Sequence, residues 1–245
     1  MRSDFNFDEI AVKSGIASDR LREDLRTYEV MSTLFPAFEV SGLEVGLYGG
    51  TALNKIYFGS RQRLSYDLDI YCTSLTSAVR AVKKLGGSEV NAKEKFEEHE
   101  RRRLVLSGIA IDLWERKLPE KPLKLQAIDL LYYLGYLVPP VVIPSFSLEY
   151  LLANKTIAMA DRNELKDIYD TWMGLRIVKN MQKYRKYLRI VAKERKVPDY
   201  RHYLRYQIKE IMLQNLNYYK KRSIDVVETP STESMLKEIE EKLNL

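Results

Sequence analysis

The sequence contains little cysteine and little histidine. Its 245 residues include one cysteine, Cys72, and two histidines, His99 and His202. One cysteine excludes an intramolecular disulfide, and two histidines leave little for a zinc site. We expect Cys72 to be a core residue at the end of an apolar strand, and both histidines to lie at the surface.

Long apolar runs are also missing. The longest near-apolar stretch, from Tyr136 to Pro144, is interrupted by Pro139 and Pro140 and is far shorter than the roughly 20 residues that span a bilayer. The first residues, MRSDFNFDE, are too acidic for a secretory signal. Charged residues make up 30% of the chain, which is typical of a globular protein. We therefore expect a cytoplasmic protein with no membrane partner.

Acidic residues are scarce in one segment near the C-terminus. Between Arg176 and Arg222 there are 15 Lys and Arg residues against three acids, so this segment carries +12 while the whole chain carries +6. Two interpretations stay open: a helical bundle with solvated lysines, or a surface that binds RNA through phosphates and stacked bases. The interleaved tyrosines are Tyr184, Tyr187, Tyr200, Tyr203, Tyr206, Tyr218 and Tyr219.

The hydrophobic pattern predicts an α+β fold in two parts. A small mixed-sheet domain with helices is expected over residues 1–120, and an all-helical domain over residues 121–245. Strands are predicted at Glu44–Tyr48, Asp67–Cys72, Ser88–Phe96, Arg103–Leu106 and Ile109–Trp114. Helices are predicted from Ser18 to about Pro36, at Thr51–Phe58, Leu75–Leu85 and Lys124–Leu137, and from Ser147 onward. The tyrosines at positions 132, 133 and 136 are expected to pack in the core.

Two glycines and a threonine stand between a predicted strand and a predicted helix. Gly49 and Gly50 allow close approach to the backbone, and the free N–H groups at the start of a helix attract phosphate. Thr51 adds a hydroxyl at this point. We therefore predict that Gly49, Gly50 and Thr51 form a phosphate-binding turn.

Three carboxylates lie on two predicted strands. Asp67 and Asp69 alternate with apolar residues, so both point to the same face of their strand. Two neighbouring carboxylates favour a cation between them, and Mg²⁺ takes one or two carboxylates together with substrate phosphates. Asp112, on a later strand, is expected to join them as a third metal ligand. With the glycine turn, these are the parts of a two-metal nucleotidyl transfer site.

Two longer patterns resemble a known family. The first is Gly49-Gly50-Thr51-Ala52-Leu53 followed by Arg63-Leu64-Ser65-Tyr66-Asp67-Leu68-Asp69, and the second is Lys155, Arg162 and then Lys166-Asp167-Ile168-Tyr169-Asp170. In this order they resemble the AbiEii-like abortive-infection family of the DNA polymerase β-type nucleotidyltransferase superfamily. Lys166 stands where that family usually has arginine.

The resemblance implies a function. It implies Mg²⁺-dependent transfer of a nucleoside monophosphate from an NTP to an acceptor, by a growth-arresting toxin that a partner antitoxin neutralises. RNA, and tRNA in particular, is the expected acceptor. Two alternatives stay open: modification of a small molecule, and a nucleotide-binding or partner-binding module without turnover.

The resemblance also implies further site residues. Lys155, from the helical domain, is expected to bind the triphosphate, and Asp170, in preference to Asp167, to orient a cation or that lysine. Arg63 and Ser65 are expected to face the nucleotide, although a local ion pair for Arg63 and a plain turn for Ser65 are about equally consistent with the sequence. The predicted catalytic residues are therefore Asp67, Asp69, Asp112, Lys155 and Asp170.

Overall fold

The computed structural model describes residues 5–90, 94–96, 99–197, 199–214, 226 and 230–245. The chain divides into two units, Met1–Phe146 and Ser147–Leu245. The first combines a mixed sheet with helices, and the described part of the second contains helices and no strand, so the predicted α+β class is confirmed. Tyr218 and Tyr219 lie outside the described residues, as does the side chain of His99.

The first unit begins with two helices, α1 (Phe7–Ser14) and α2 (Ser18–Val40). Its described residues form eight strands: β1 (Val45–Tyr48), β2 (Asp67–Cys72), β3 (Ser88–Glu89), β4 (Glu94–Phe96), β5 (His99–Leu106), β6 (Ile109–Glu115), β7 (Leu123–Ala127) and β8 (Val141–Ser145). Its other helical segments are α3 (Gly49–Ala52), which continues as a π-helix (Leu53–Tyr57), a 3₁₀ turn (Gly59–Arg61), α4 (Leu75–Lys84) and α5 (Leu130–Tyr133).

Strand β2 lies near the middle of the sheet. The strand order is β3-β5-β6-β2-β1-β8-β7, and β4 also pairs with β5. β2 runs antiparallel to β1 and parallel to β6. This register aligns Asp69 with Tyr48 on one side and with Asp112 on the other.

One face of this sheet is the core of the first unit. Leu68 and Ile70 of β2, with Ile111 and Leu113 of β6, are fully buried. Helices α2 and α4 both pack against β6. Because side chains alternate along a strand, Asp67 and Asp69 lie on the opposite face. Cys72 is buried, as expected.

The predicted helix at 124–137 is wrong. Residues Leu123–Ala127 form β7, which pairs with β8, because Leu125 and Ala127 alternate with polar residues at a period of two. Only Leu130–Tyr133 is helical, and Gly135, at φ +89°, lies just beyond its end. The first unit consequently extends to Phe146 and not to residue 120.

Two smaller expectations differ from the structure where it is described. Tyr132 and Tyr133 are 49% and 39% exposed and are not core residues. Their short helix has only four residues, so it offers no continuous face to bury. Within the predicted strand Ser88–Phe96, the described residues contain two short strands, β3 and β4, which pair with different parts of β5, and residues 91–93 lie outside the described residues.

The second unit is built around one buried helix. Its helices are α6 (Leu148–Arg162), α7 (Leu165–Ile177), α8 (Met181–Glu194), α9 (Tyr200–Gln214) and α10 (Thr232–Leu243). Every residue of α6 from Tyr150 to Ala160 is buried, since α7, α8 and α9 all pack against it. Asn163, in the left-handed conformation, ends this helix. Among the described residues, no helix is long and apolar enough to cross a membrane.

Candidate active site

The glycine turn lies directly against a carboxylate. Gly49 has φ +77°, and a Cβ on it would lie 2.5 Å from Oδ2 of Asp69. The antiparallel register explains this approach, because Tyr48, the preceding residue, is paired with Asp69. Only glycine therefore fits at position 49, and the start of the helix faces the carboxylate without an intervening side chain.

The Thr51 hydroxyl fastens the turn to β2. Its Oγ1 donates a hydrogen bond of 2.6 Å to the backbone carbonyl of Asp67, and the residue is 2% exposed. The helix and the carboxylate strand are thus joined by a side chain as well as by the sheet. The prediction that Thr51 binds phosphate directly is untested, but its hydroxyl proton is committed to this bond.

The three predicted metal ligands differ in exposure. Asp67 is exposed, Asp69 is half-buried and Asp112 is buried. The parallel register of β2 and β6 places Asp69 directly opposite Asp112, on the same face of the sheet. The expected proximity of these carboxylates is therefore present in the fold.

Two arginines of β5 hold the Asp112 carboxylate. Arg101 donates to it from Nε and Nη2 at 2.9–3.1 Å, and Arg103 donates from Nε at 2.9 Å and Nη2 at 2.7 Å. The hydrogen bonds to Asp112 raise the pKa of the Arg103 guanidinium, and the charges of Asp112, Asp67 and Asp69 add to this rise. Arg103 therefore carries a positive charge among all three carboxylates.

The residues present fit one Mg²⁺ ion better than two. Asp67 and Asp69 are hard oxygen donors on one strand face, beside a turn suited to a phosphate. Both oxygens of Asp112 already accept from the arginines, so Asp112 could become a ligand only if Arg101 and Arg103 released it. Within the described ranges, no three acidic, histidine or cysteine side chains form a group that would hold a metal.

Arg63 and Ser65 lie inside the first unit. They are 8% and 2% exposed. The Arg63 guanidinium donates to the backbone carbonyl of Leu64 and to Oγ of Ser65. These contacts hold the segment that leads into β2, and the predicted contact of both residues with a nucleotide stays a prediction.

Lys155 is paired with both aspartates of the second pattern. In the second unit its Nζ lies 2.6 Å from Asp167 Oδ1 and 3.2 Å from Asp170 Oδ2. Arg162 Nε also lies 3.3 Å from Asp167 Oδ2, which confirms that Lys155 and Arg162 share a helix face. Both aspartates thus hold Lys155, whereas a preference for Asp170 was expected. The role of Lys155 in triphosphate binding is untested.

Arg101 and Arg103 were not among the residues predicted from the sequence. A signal for Arg103 was available, because residues Ser107 and Gly108 separate two predicted strands by a two-residue turn, which fixes the residues that face each other. Counting back from that turn places Arg103 opposite Asp112, as the structure does. A buried cluster formed by Asp24, Lys55 and Asp129 was also missed, since none of the three is close to another in sequence.

Solved structures share this fold. MenT4, a nucleotidyltransferase toxin from Mycobacterium tuberculosis H37Rv, is 16% identical, with a TM-score of 0.62 over 97% of this chain and 88% of its own. The antibiotic-resistance factor ANT(2'')-Ia is 11% identical, with a TM-score of 0.52 over 73% of this chain and 98% of its own. No curated protein matches the sequence significantly.

The family match defines the class of the protein. The sequence matches the family of nucleotidyl transferase AbiEii toxins of type IV toxin–antitoxin systems over residues 41–244. The protein is therefore a nucleotidyltransferase. More particularly, the chain belongs to the AbiEii toxin family, which implies a nucleotide substrate and an antitoxin partner.

Replacement of Gly49 tests the close approach of the turn to Asp69. Gly49→Ala should lower nucleotidyl transfer by about 100-fold, because the new Cβ must displace the Asp69 carboxylate. Gly86→Ala is the matched control, since Gly86 also has positive φ but has no atom within 4 Å of a Cβ. In both variants, backbone strain should lower the free energy of unfolding by about 1–2 kcal/mol. Wild-type transfer by Gly49→Ala would show that the approach is irrelevant to the site.

Removal of Lys155 should destabilise the second unit. Lys155→Ala removes the ammonium that pairs with the buried carboxylates of Asp167 and Asp170, and although Asp167 keeps its ion pair with Arg162, this loss should cost about 3–5 kcal/mol of unfolding free energy. Lys166→Ala is the control, because its pair with Glu164 is exposed and contributes about 1 kcal/mol at most. Denaturant unfolding measures both. Equal stability of the two variants would contradict a structural role for Lys155.

Proposed function

We propose that the first unit transfers a nucleoside monophosphate from an NTP to an acceptor hydroxyl, with Mg²⁺ held by Asp67 and Asp69. The observation that carries this proposal is the placement of the Gly49 turn against Asp69. A phosphate bound at the turn and a cation bound at the carboxylates would then be neighbours. The family membership supports the reaction class.

The chain's own groups bind and orient the substrate in this proposal. Backbone N–H groups at Gly49 and Gly50 donate to phosphate oxygens, because the first amides of a helix lack partners within it. Bound Mg²⁺ would supply positive charge to the phosphates. Arg103, anchored by Asp112, presents a second positive charge at the same face. A bond forms between the acceptor oxygen and the α-phosphorus, and the proton of the acceptor hydroxyl passes to solvent. The bond from the α-phosphorus to the oxygen that bridges to the β-phosphorus breaks, and pyrophosphate leaves with that oxygen.

We further propose that the acceptor is RNA, with tRNA as the form to test. In the second unit, three cations on the exposed side of α8 make no ion pair among the described residues: Lys186, Arg189 and Lys193. Three more on α9 share this property: Arg201, Arg205 and Lys209. Tyr206 lies among them, 54% exposed. Unpaired cations with an exposed ring are suited to a nucleic acid backbone and its bases.

The proposed physiological role is that of a growth-arresting toxin. A toxin that modifies RNA must be restrained in its own cell, and the family membership implies an antitoxin as the partner that does so. This part of the proposal is supported by the family membership alone, and it does not depend on a binding surface identified in this structure.

Neutralising either metal carboxylate should abolish transfer. Asp67→Asn and Asp69→Asn should each lose about 100-fold or more, because a metal ligand contributes several kcal/mol and 1.36 kcal/mol is tenfold. Asp19→Asn, on the exposed first turn of α2, is the control for loss of one negative charge. Incorporation of labelled NTP into cellular RNA with Mg²⁺ is the assay. Near-normal incorporation by either variant would refute the proposed ion site.

Binding of RNA by α8 should depend on salt. Each neutralised phosphate contributes a slope of about −0.7 to −0.9 in the logarithm of affinity against the logarithm of salt. Reversal of Lys186, Arg189 and Lys193 to glutamate should therefore flatten the slope by roughly 2 to 3 and weaken tRNA binding. Filter binding over a salt series measures this.

The control for this experiment changes the charge equally elsewhere. Arg80, Lys84 and Lys117 are exposed cations of the first unit, and their reversal to glutamate alters the net charge by the same amount. This control variant should keep most of the wild-type dependence of tRNA affinity on salt. Equal losses in the two triple variants would indicate a net-charge effect, and no loss in the α8 variant would favour a small-molecule acceptor.

A further inference from the structure

A buried charge cluster lies behind the candidate active site. Lys55, in the π-helix, places its Nζ 2.5 Å from Asp24 Oδ2 and 2.8 Å from Asp129 Oδ2. The side chains of Lys55 and Asp129 are fully buried, and that of Asp24 is 2% exposed. Asp24 belongs to α2, before residue 41, where the family match begins.

The two aspartates have different second contacts. The other oxygen of Asp24, Oδ1, accepts a hydrogen bond of 2.8 Å from the backbone N–H of Ser65. The other oxygen of Asp129 accepts from the backbone N–H of Leu131 and caps α5. Asp24 therefore holds the segment two residues before Asp67, and Asp129 holds a helix instead.

Neighbouring side chains hold the same segment from the helix that begins at Gly49. Asn54 Oδ1 accepts from the backbone N–H of Arg63 at 2.7 Å, and Thr51 donates to the carbonyl of Asp67. Lys55 acts on Ser65 through Asp24. One helix thus fixes the phosphate turn and three positions of the segment that carries Asp67.

Stability alone does not explain this cluster. Two carboxylates and one ammonium are desolvated together, and burial raises the pKa of Asp24 to about 7 despite the neighbouring charge of Lys55. Apolar residues of similar volume are often equally stable or more stable in place of a buried ion pair. A hydrogen bond to a particular backbone group fixes the position of that group, and an apolar cluster has no such directional contact.

We propose that Asp24 is a positioning residue for nucleotidyl transfer: it fixes Ser65, and through it Asp67, relative to the Gly49 turn. This inference rests on the proposed role of Asp67. Asp24 does not contact the substrate in this account, and Lys55 holds Asp24 in place.

Two apolar substitutions separate positioning from general stability. Asp24→Leu leaves Lys55 paired with Asp129, and Asp129→Leu leaves it paired with Asp24, so each variant keeps one buried ion pair. Below the unfolding temperature of both, Asp24→Leu should lower kcat at least about tenfold and speed hydrogen exchange of the Ser65 amide. Asp129→Leu should keep kcat within about threefold and leave that amide protected.

The conservative variant tests the hydrogen bond itself. Asp24→Asn keeps an oxygen that accepts from the Ser65 N–H. Its kcat should therefore be much closer to the wild-type value than that of Asp24→Leu, although its free energy of unfolding stays below the wild-type value. Equal loss of kcat in Asp24→Leu and Asp129→Leu, or an Asp24→Asn variant as inactive as Asp24→Leu, would overturn the inference. If Asp24→Leu does not fold, Asp24→Ala takes its place in the same comparison.

Asp67→Asn, measured in the same assay, separates the two proposals. An inactive Asp67→Asn together with an unaffected Asp24→Leu refutes the positioning role alone. A fully active Asp67→Asn refutes the proposed function on which that role rests.

Discussion

The arrangement of charges in the first unit depends on one interaction, the repulsion between carboxylates on adjacent strands. Asp69 and Asp112 are register partners at the middle of one sheet, and Asp67 shares their face. Like charges this close are unfavourable unless cations compensate them. Arg101 and Arg103 compensate Asp112 from β5, and the more exposed pair, Asp67 and Asp69, is the position that we propose for a divalent ion. In this proposal Asp112 has a structural role, and Asp67 and Asp69 have a catalytic one.

The glycine turn and the interior behind it serve the same purpose. Gly49 brings a helix start against Asp69, and Thr51 fastens that helix to the carbonyl of Asp67. Behind them, Asp24 and Lys55 form a buried ion pair, to which we assign a positioning role. Electrostatic catalysis of phosphoryl transfer depends on groups held in place before the reaction, so a rigid interior is an advantage here. The π-helix at Leu53–Tyr57 agrees with this interpretation, since such segments are frequent at functional sites.

Much of this site could be predicted from sequence because its determinants are local. A period of two places Asp67 and Asp69 on one face, and a glycine pair between strand and helix marks the turn. The mid-chain error arose because β7 pairs with β8, a partner fourteen or more residues away that its own pattern does not reveal. The cluster of Asp24, Lys55 and Asp129 was missed for the same reason, as its members are 31 and 74 residues apart. Isolated charged residues look like surface residues until the fold buries them together.

The central claim is that Asp67, Asp69 and the Gly49 turn together bind a metal–nucleotide complex. A crystal structure of the wild-type protein with Mn²⁺ and a non-hydrolysable NTP, with the ion located by its anomalous scattering, tests this claim most directly. Our account predicts an ion in contact with Asp67 and Asp69, and phosphate oxygens on the amides of Gly49 and Gly50. An ion bound away from both carboxylates, or a triphosphate held without contact to the turn, would contradict it.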